Sequence, residues 1–526
     1  MKELIFQNPF MGAVERYPDN TIVKYGDYSA TYTQHLERIY RLTGMLRNEL
    51  GVGKSDRFGI LSNNNHQYLE LWHAGLFGAA VINPLNIRLN ASEIKYILND
   101  SGAKVIFVDS TFAPVIDSIR SELNHIRHVV LIDNDNENKD VPHDLSYEQL
   151  IERTTPVMPE EPEEEDPCLL MYTGGTTGLP KGVLVDHRAI TLGIFHFSIE
   201  YEFLNMHKSD NPCHFLLFMP MFHVGALVGM LAPSISGGKV IIIQGFDDKT
   251  VIETIEKERV TVTGLVPTML SLIINHPEFH PDRLSSLETI GYGAAPMPEG
   301  LLKRCTEILP HLKLYQGYGL TESGGAVSYL SPEDHRKGGK RLRSVGRPMF
   351  GIRFSIKDFD GNALPSGEIG EVCIKSGTVM QCYWKQPEAT VEVIKDGWYH
   401  TGDMGYLDEN GYLYLVDRAK DMIISGGENV YSIEIESVVS MHPAVAEVAV
   451  IGIPHEVWGE AIHAIVIARA NMSVTAEEIK EHARKTLSGY KVPKTVEIRK
   501  EPFPLSAAGK ILKRELRKKY WEESDE

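Results

Sequence analysis

Cysteine is scarce. The 526 residues hold five (Cys168, Cys213, Cys305, Cys373 and Cys382), and no two form a CxxC pair. That spacing offers neither a disulfide framework nor a zinc motif, so reduced thiols in a cytoplasmic protein are expected. Positive charge is also short: 53 Lys and Arg stand against 71 Asp and Glu, a net charge of −18. Such a surface repels phosphate backbones, which disfavours nucleic acid as a partner. The start, Met1-Lys2-Glu3-Leu4, lacks the apolar core of a secretory signal. Only Phe215 to Pro233 runs long enough without Asp, Glu, Lys or Arg to invite a membrane reading. Pro220, Gly225 and Gly229 interrupt it, so a buried strand, a turn at Pro220-Met221-Phe222-His223 and a buried helix are expected instead, with no transmembrane segment. No repeat of fixed period is present.

What is there is an ordinary globular composition, 43% apolar and 24% charged, in a chain long enough for three or four domain-sized units. Apolar residues at helical spacing (Leu36, Ile39, Leu42, Met45, Leu46, Leu50) predict a helix, and Arg57–Leu61 predicts a strand. A helix over Tyr68–Phe77 and strands at 79–84 and 105–108 continue the alternation, which indicates α/β layers with parallel sheets. Pro159 to Pro167 is a charged, proline-bearing connector that delivers the chain to an apolar strand at Cys168–Tyr172. After about residue 340 short strands and turns such as Gly361-Asn362 predict a small β-rich unit. From Asp421 the pattern is α+β, with helices at 432–441 and 475–487 and a strand at 461–468.

The strand at 168–172 opens into Tyr172-Thr173-Gly174-Gly175-Thr176-Thr177-Gly178-Leu179-Pro180-Lys181-Gly182. Glycines let backbone N–H groups approach an anion, threonine hydroxyls add donors, and Lys181 adds charge, a combination suited to a polyphosphate. A P-loop needs Gly before and Ser or Thr after its lysine, whereas Lys181 sits between Pro180 and Gly182. This phosphate loop is of another kind.

The loop resembles YTSGTTGxPKG of the adenylate-forming superfamily, which includes acyl-CoA synthetases, with Gly174 standing where that family has Ser. The resemblance spans nearly the whole chain. Gly291-Tyr292-Gly293-Ala294-Ala295-Pro296 resembles its adenine-facing segment, and Tyr315-Gln316-Gly317-Tyr318-Gly319-Leu320-Thr321-Glu322 its YGxTE segment. Tyr399-His400-Thr401-Gly402-Asp403 resembles its TGD segment, Asp417-Arg418-Ala419-Lys420-Asp421 its hinge, and Pro504 to Lys513 its closing PxTxSGKIxK, with Ala508 where a hydroxyl residue or Asn is usual.

The resemblance implies an α/β fold: a large N-terminal domain of two α/β layered subdomains plus a small β-barrel-like subdomain (residues 1–416), a hinge at 417–420, and a small mobile α+β C-terminal domain (421–526). It implies that Thr173, Gly174, Gly175, Thr176, Thr177, Gly293, Ala294, Ala295, Gln316, Gly317, Tyr318, Gly319, Thr321, Glu322, Asp403, Arg418 and Lys510 hold ATP or AMP. Asp403 and Arg418 would meet the ribose, Thr173 and Glu322 would hold Mg²⁺, Lys510 would serve adenylation, and Lys420 would be the pivot. Thr173, Lys181, Glu322 and Lys510 are the implied catalytic residues. Ser425, Gly426, Gly427 and Glu428 would face coenzyme A. The acid would lie along His223, Val224, Gly225, Val228, Gly291, Gly293, Gly317 and Gly319, an apolar lining without the Asp that pairs an amino group in amino-acid-activating relatives.

The chemistry follows. A carboxylate is a poor electrophile until AMP is placed on it, and no nucleophile motif surrounds any cysteine, so the acceptor thiol is expected to be external. The leading expectation is an AMP-forming acyl-CoA ligase for a short- or medium-chain fatty, thioether or aryl-substituted acid. An acyl-AMP ligase that loads a carrier-protein thiol and a non-catalytic acyl-nucleotide binder are the alternatives. A homodimer stays open.

Overall fold

The computed structural model describes residues 4–132, 141–173, 179–202, 213–294, 297–418, 421–425, 428–469, 472–505 and 511–522. They form two compact units, residues 1–353 with 375–399, and residues 354–374 with 400–526. The expected hinge at 417–420 falls within the second.

Two large sheets build the first unit. In the eight-stranded sheet Val81–Pro84, Arg57–Leu61, Val105–Val108 and His128–Leu131 run parallel, and Pro167–Thr173 joins them beside Val81–Pro84. In the nine-stranded sheet Lys239–Ile242, His214–Leu217, Val262–Leu265, Thr289–Gly293 and Lys313–Leu320 are parallel neighbours. Most of these runs are largely buried, as parallel strands covered by helices on both faces must be, whereas Lys313–Leu320 is buried only over Leu314–Gln316 and opens toward its C-terminal end. The helix predicted from Leu36 spans Tyr32–Gly44 and continues as a π-turn over Met45–Glu49. A capping box starts it: Thr31 accepts from the Gln34 N–H while the Gln34 side chain accepts from Thr31.

The uncharged stretch at 215–233 is the expected strand, turn and helix, and the helix Leu227–Ile235 has only nine residues. Among the described residues no helix is long and apolar enough to cross a membrane.

In the second unit Arg353–Lys357, Gly370–Lys375, Trp398–Leu407 and Leu413–Arg418 make one small sheet. A second sheet pairs Val445–His455 with Gly459–Ala468 and carries helices Ser432–Ser440, Ala476–Arg484 and Lys513–Glu522. Its strands read with period two. Val450, Ile462, Ala464 and Val466 pack on Ile435, Val438 and Ile479, whereas Ala449, Ile451 and Ile465 pack on Phe503 and Leu516. Asp417 accepts from the Ser432 hydroxyl at 2.7 Å and also from its N–H, and Lys513 bonds both Ser432 and Glu436.

One buried charge organises the N-terminal helices. Glu70 is fully buried; its Oε1 takes Arg38 Nε at 2.8 Å and His66 Nδ1 at 2.9 Å, and its Oε2 takes the Tyr147 hydroxyl at 2.7 Å. Burial alone would raise its pKa, but Arg38 and His66 outweigh burial and hold the carboxyl well below its ordinary range. With the folded value depressed, this stabilisation is complete above the unfolded carboxyl pKa of about 4.3 and fades as pH falls below it. Glu70→Ala should destabilise the protein by about 3 kcal/mol, because Arg38 keeps only the part-exposed Glu148 as a partner and the Tyr147 hydroxyl loses its acceptor. Adding Arg38→Met, which leaves Glu148 with Gln67, should recover part of that loss in thermal denaturation; a double variant as weak as the single one would refute the account.

Candidate active site

Three segments of the first unit meet around one tyrosine. Pro167–Thr173 runs antiparallel to Lys181–Asp186, which sets Thr173 opposite Lys181. Gly174, Gly175, Thr176 and Thr177 lie outside the described residues. Lys181 holds its Nζ 5.0 Å from the centre of the Tyr383 ring, within cation–π range. The Tyr383 hydroxyl donates to Oε1 of Glu322 at 3.1 Å, and the Met380 N–H donates to the Glu322 carbonyl at 2.8 Å. Burial first, then the Glu322 carboxylate, pushes the Tyr383 phenol above its ordinary pKa, so it remains a donor at neutral pH.

Glu322 sits in the tight turn Thr321–Ser323. Ser323 Oγ accepts from the Leu320 N–H at 2.9 Å and donates to the Gly325 carbonyl at 2.7 Å. A Cβ on Gly319 would lie 1.9 Å from that carbonyl oxygen, so glycine there is what lets the chain fold back on itself. The expected Mg²⁺ ligands, a carboxylate and the Thr173 hydroxyl, are hard oxygen donors of the type that ion takes.

The segments expected to face adenine are adjacent. Gly291, Tyr292 and Gly293 pair in parallel with Tyr315, Gln316 and Gly317, and Tyr318 follows on the same strand. The Tyr292 hydroxyl reaches Gln316 Oε1 at 3.3 Å. Ala294, immediately after, has φ +64°, a left-handed conformation that costs a non-glycine residue about 1–3 kcal/mol and clusters at functional sites. Ala295 lies outside the described residues.

The segments expected to line the acid carry an aromatic surface that the motifs do not encode. Tyr201 stacks on Tyr315, ring centres 4.4 Å apart, and lies across the glycines: a Cβ on Gly291 would fall 3.1 Å from its ring and one on Gly317 3.8 Å from its hydroxyl. Val224 and Phe197 stand by Gly325. His223 uses Nδ1 to accept from the Gly225 N–H at 3.0 Å, capping the turn Val224–Ala226. Buried Asn64 fixes the preceding turn, donating to Met219 O at 3.0 Å and accepting from Met221 N at 2.9 Å. Val228 lies on the helix Leu227–Ile235.

In the second unit Asp403 is buried and bonded by Arg418, Nε to Oδ1 at 2.9 Å. Its turn is held from the neighbouring strand. Glu371 Oε2 is 2.7 Å from His400 Nδ1, Glu371 Oε1 accepts from the Gly402 N–H at 3.0 Å, and Thr401 Oγ1 donates to Val372 O at 2.7 Å. Gly402 has φ +71°.

Residues 10–384 match the family described as AMP-binding enzyme, and residues 434–510 match its C-terminal domain. The chain belongs to the AMP-binding enzyme family, as an acyl-CoA synthetase. It is 38% identical over 499 residues to the long-chain-fatty-acid–CoA ligase FadD13 of Mycobacterium tuberculosis, covering 94% of both chains. It is 36% identical over 505 residues to a feruloyl-CoA synthase from Amycolatopsis, covering 96% of both. The solved o-succinylbenzoate CoA synthetase of Bacillus subtilis, in complex with its acyl-adenylate, matches at a TM-score of 0.83 and 29% identity, covering 97% of this chain and 98% of that one.

In this synthetase Ser425 and Glu428, expected to face coenzyme A, are opposite each other in the hairpin formed by Ile423–Ser425 and Glu428–Val430. Gly426, Gly427, Lys420 and Lys510 lie outside the described residues, although Leu505 and Ile511, on either side of Lys510, form an antiparallel bridge. The motifs miss Tyr383, Tyr201, Asn64 and Glu371, since each acts through a partner distant in sequence. Only the pair Tyr383-Trp384 after an apolar stretch hints at a buried aromatic.

Tyr383→Phe keeps the ring beneath Lys181 and removes the hydroxyl from Glu322. ATP–pyrophosphate exchange should slow about tenfold, the kinetic equivalent of a ~1.5 kcal/mol hydrogen bond to a charged group, and the Mg²⁺ concentration for half-maximal rate should shift. Unchanged rate and Mg²⁺ dependence would remove Tyr383 from the site.

Proposed function

We propose that this acyl-CoA synthetase activates an apolar acid of limited length, a short- or medium-chain fatty, thioether or aryl-substituted carboxylic acid. The observation that carries this reading is Tyr201, whose ring crosses the glycine lane at Gly291 and Gly317 and offers a flat apolar stop.

In the first half-reaction a carboxylate oxygen attacks the α-phosphorus of ATP, the new O–P bond forms, the bridging P–O bond breaks, and pyrophosphate leaves. The carboxylate is already ionised at neutral pH, so no general base is required. What the step requires is positioning and positive charge. Lys181 and the Thr173 hydroxyl lie at the mouth of the phosphate loop, Lys510 adds a second cation, and Asp403 accepts from the ribose hydroxyls. Tyr383 keeps the Glu322 carboxylate oriented. Glu322 and Thr173 would hold Mg²⁺, which when bound supplies positive charge against the phosphates. In the second half-reaction the CoA thiolate attacks the acyl carbonyl, the C–S bond forms, and AMP departs. Ser425, Gly426, Gly427 and Glu428 would guide the thiol, after a swing of residues 421–526 about Lys420 that withdraws Lys510.

Lys510→Ala should lower acyl-AMP formation at least about a hundredfold, the scale of losing one charge-stabilising group, yet spare thioester formation from supplied acyl-AMP. Equal loss in both halves would overturn the alternation. In a panel of carboxylates, AMP release should require apolar acids and rise with CoA. Tyr201→Ala should shift the kcat/KM optimum toward longer acids; an unmoved optimum would take Tyr201 out of the pocket, and thioester formed only on a carrier protein would replace CoA as acceptor.

A further inference from the structure

No local spacing of cysteines suggests a soft metal site, yet strand pairing assembles three ligand types. Glu371 and Cys373, two residues apart on the strand Gly370–Lys375, share a face, and His400 comes from the adjacent strand Trp398–Leu407. His400 Nδ1 lies 3.4 Å from Cys373 Sγ and 2.7 Å from Glu371 Oε2, and the three ligand atoms all lie within 4.8 Å of one another. Tetrahedral zinc, with bonds of about 2.0–2.3 Å, separates its ligand atoms by roughly 3.3–3.7 Å. The sulfur–nitrogen distance already fits, and the nitrogen–oxygen distance needs to open by about half an ångström. Cys373 is fully buried, the His400 side chain is 10% exposed, and the Glu371 side chain is 29% exposed, so water can reach a fourth position from the carboxylate side.

We propose that Glu371, Cys373 and His400 form a binding site for a soft divalent cation, Zn²⁺, with an open fourth position. The thiolate and imidazole select zinc over Mg²⁺, which prefers an all-oxygen shell. Oε2 of Glu371 turns from the His400 N–H to the metal, while Oε1 stays on the Gly402 N–H. The ion thus takes the place of a shared proton and staples the turn that presents Asp403. Binding releases the proton of the Cys373 thiol, while the proton on His400 Nδ1 moves to Nε2, so the imidazole ligates in its neutral form.

The test uses the full chain, purified with a non-thiol reductant and stripped of metal, in excess Mg²⁺. Titration with Co²⁺ should give a thiolate-to-cobalt charge-transfer band at one equivalent, and Zn²⁺ should abolish it. Calorimetry with Zn²⁺ should show buffer-dependent proton release. Cys373→Ser should eliminate the band, and Glu371→Gln, which still accepts from Gly402, should weaken Zn²⁺ binding at least tenfold; Cys382→Ser should leave both intact. Absence of a band, or a band that survives Cys373→Ser, would overturn the assignment. These readouts involve neither acid nor thiol substrate, so their outcome is separate from that of the ligase reading.

Discussion

One hydroxyl-to-carboxylate hydrogen bond ties together the two large sheets of the first unit. Tyr383 is carried on a short strand that pairs with Lys181–Asp186, and its ring meets the Lys181 ammonium while its hydroxyl meets Glu322. The strand Lys181–Asp186 and the turn that bears Glu322 belong to different sheets. Tyr383 joins them. Without such a link Lys181 and Glu322 would each be presented by its own loop, and preorganised charge is worth most when the groups do not have to reorganise during reaction.

A second constraint is steric. Gly319 and Gly293 stand where a Cβ would strike neighbouring backbone, 1.9 Å from Gly325 O and 2.8 Å from Gly317 O. Compression of these backbones lets Glu322 emerge from a turn directly after a strand. A different pair on the same two strands, Gly291 and Gly317, leaves the room that the large ring of Tyr201 occupies.

Much of the fold was legible because the relevant signals are local. The helix from Tyr32, the strands at 57–61 and 105–108, the strand-turn-helix at 215–235 and the helices of the C-terminal module all follow from period, caps and proline placement. The motif residues Thr173, Lys181, Gly293, Tyr318 and Glu322 could be named because they lie in contiguous segments. Tyr383, Tyr201 and Asn64 could not, because their roles are defined by partners 61, 114 and 157 residues away in the chain: Glu322, Tyr315 and Met221. The left-handed Ala294 was equally hidden, since alanine carries no marker for that conformation.

The Asp417–Ser432 contact has a consequence for how the second unit comes apart. Asp417 lies at the end of the strand Leu413–Arg418, and its carboxylate accepts both the N–H and the hydroxyl of Ser432, the first residue of the helix Ser432–Ser440. Hydrogen bonds to a charged group are worth about 1.5–3 kcal/mol each, and a carboxylate at a helix start also meets the positive end of the peptide dipoles. Fraying of that helix and detachment of that strand are thereby made a single event, since neither can let go without stranding the other's partner.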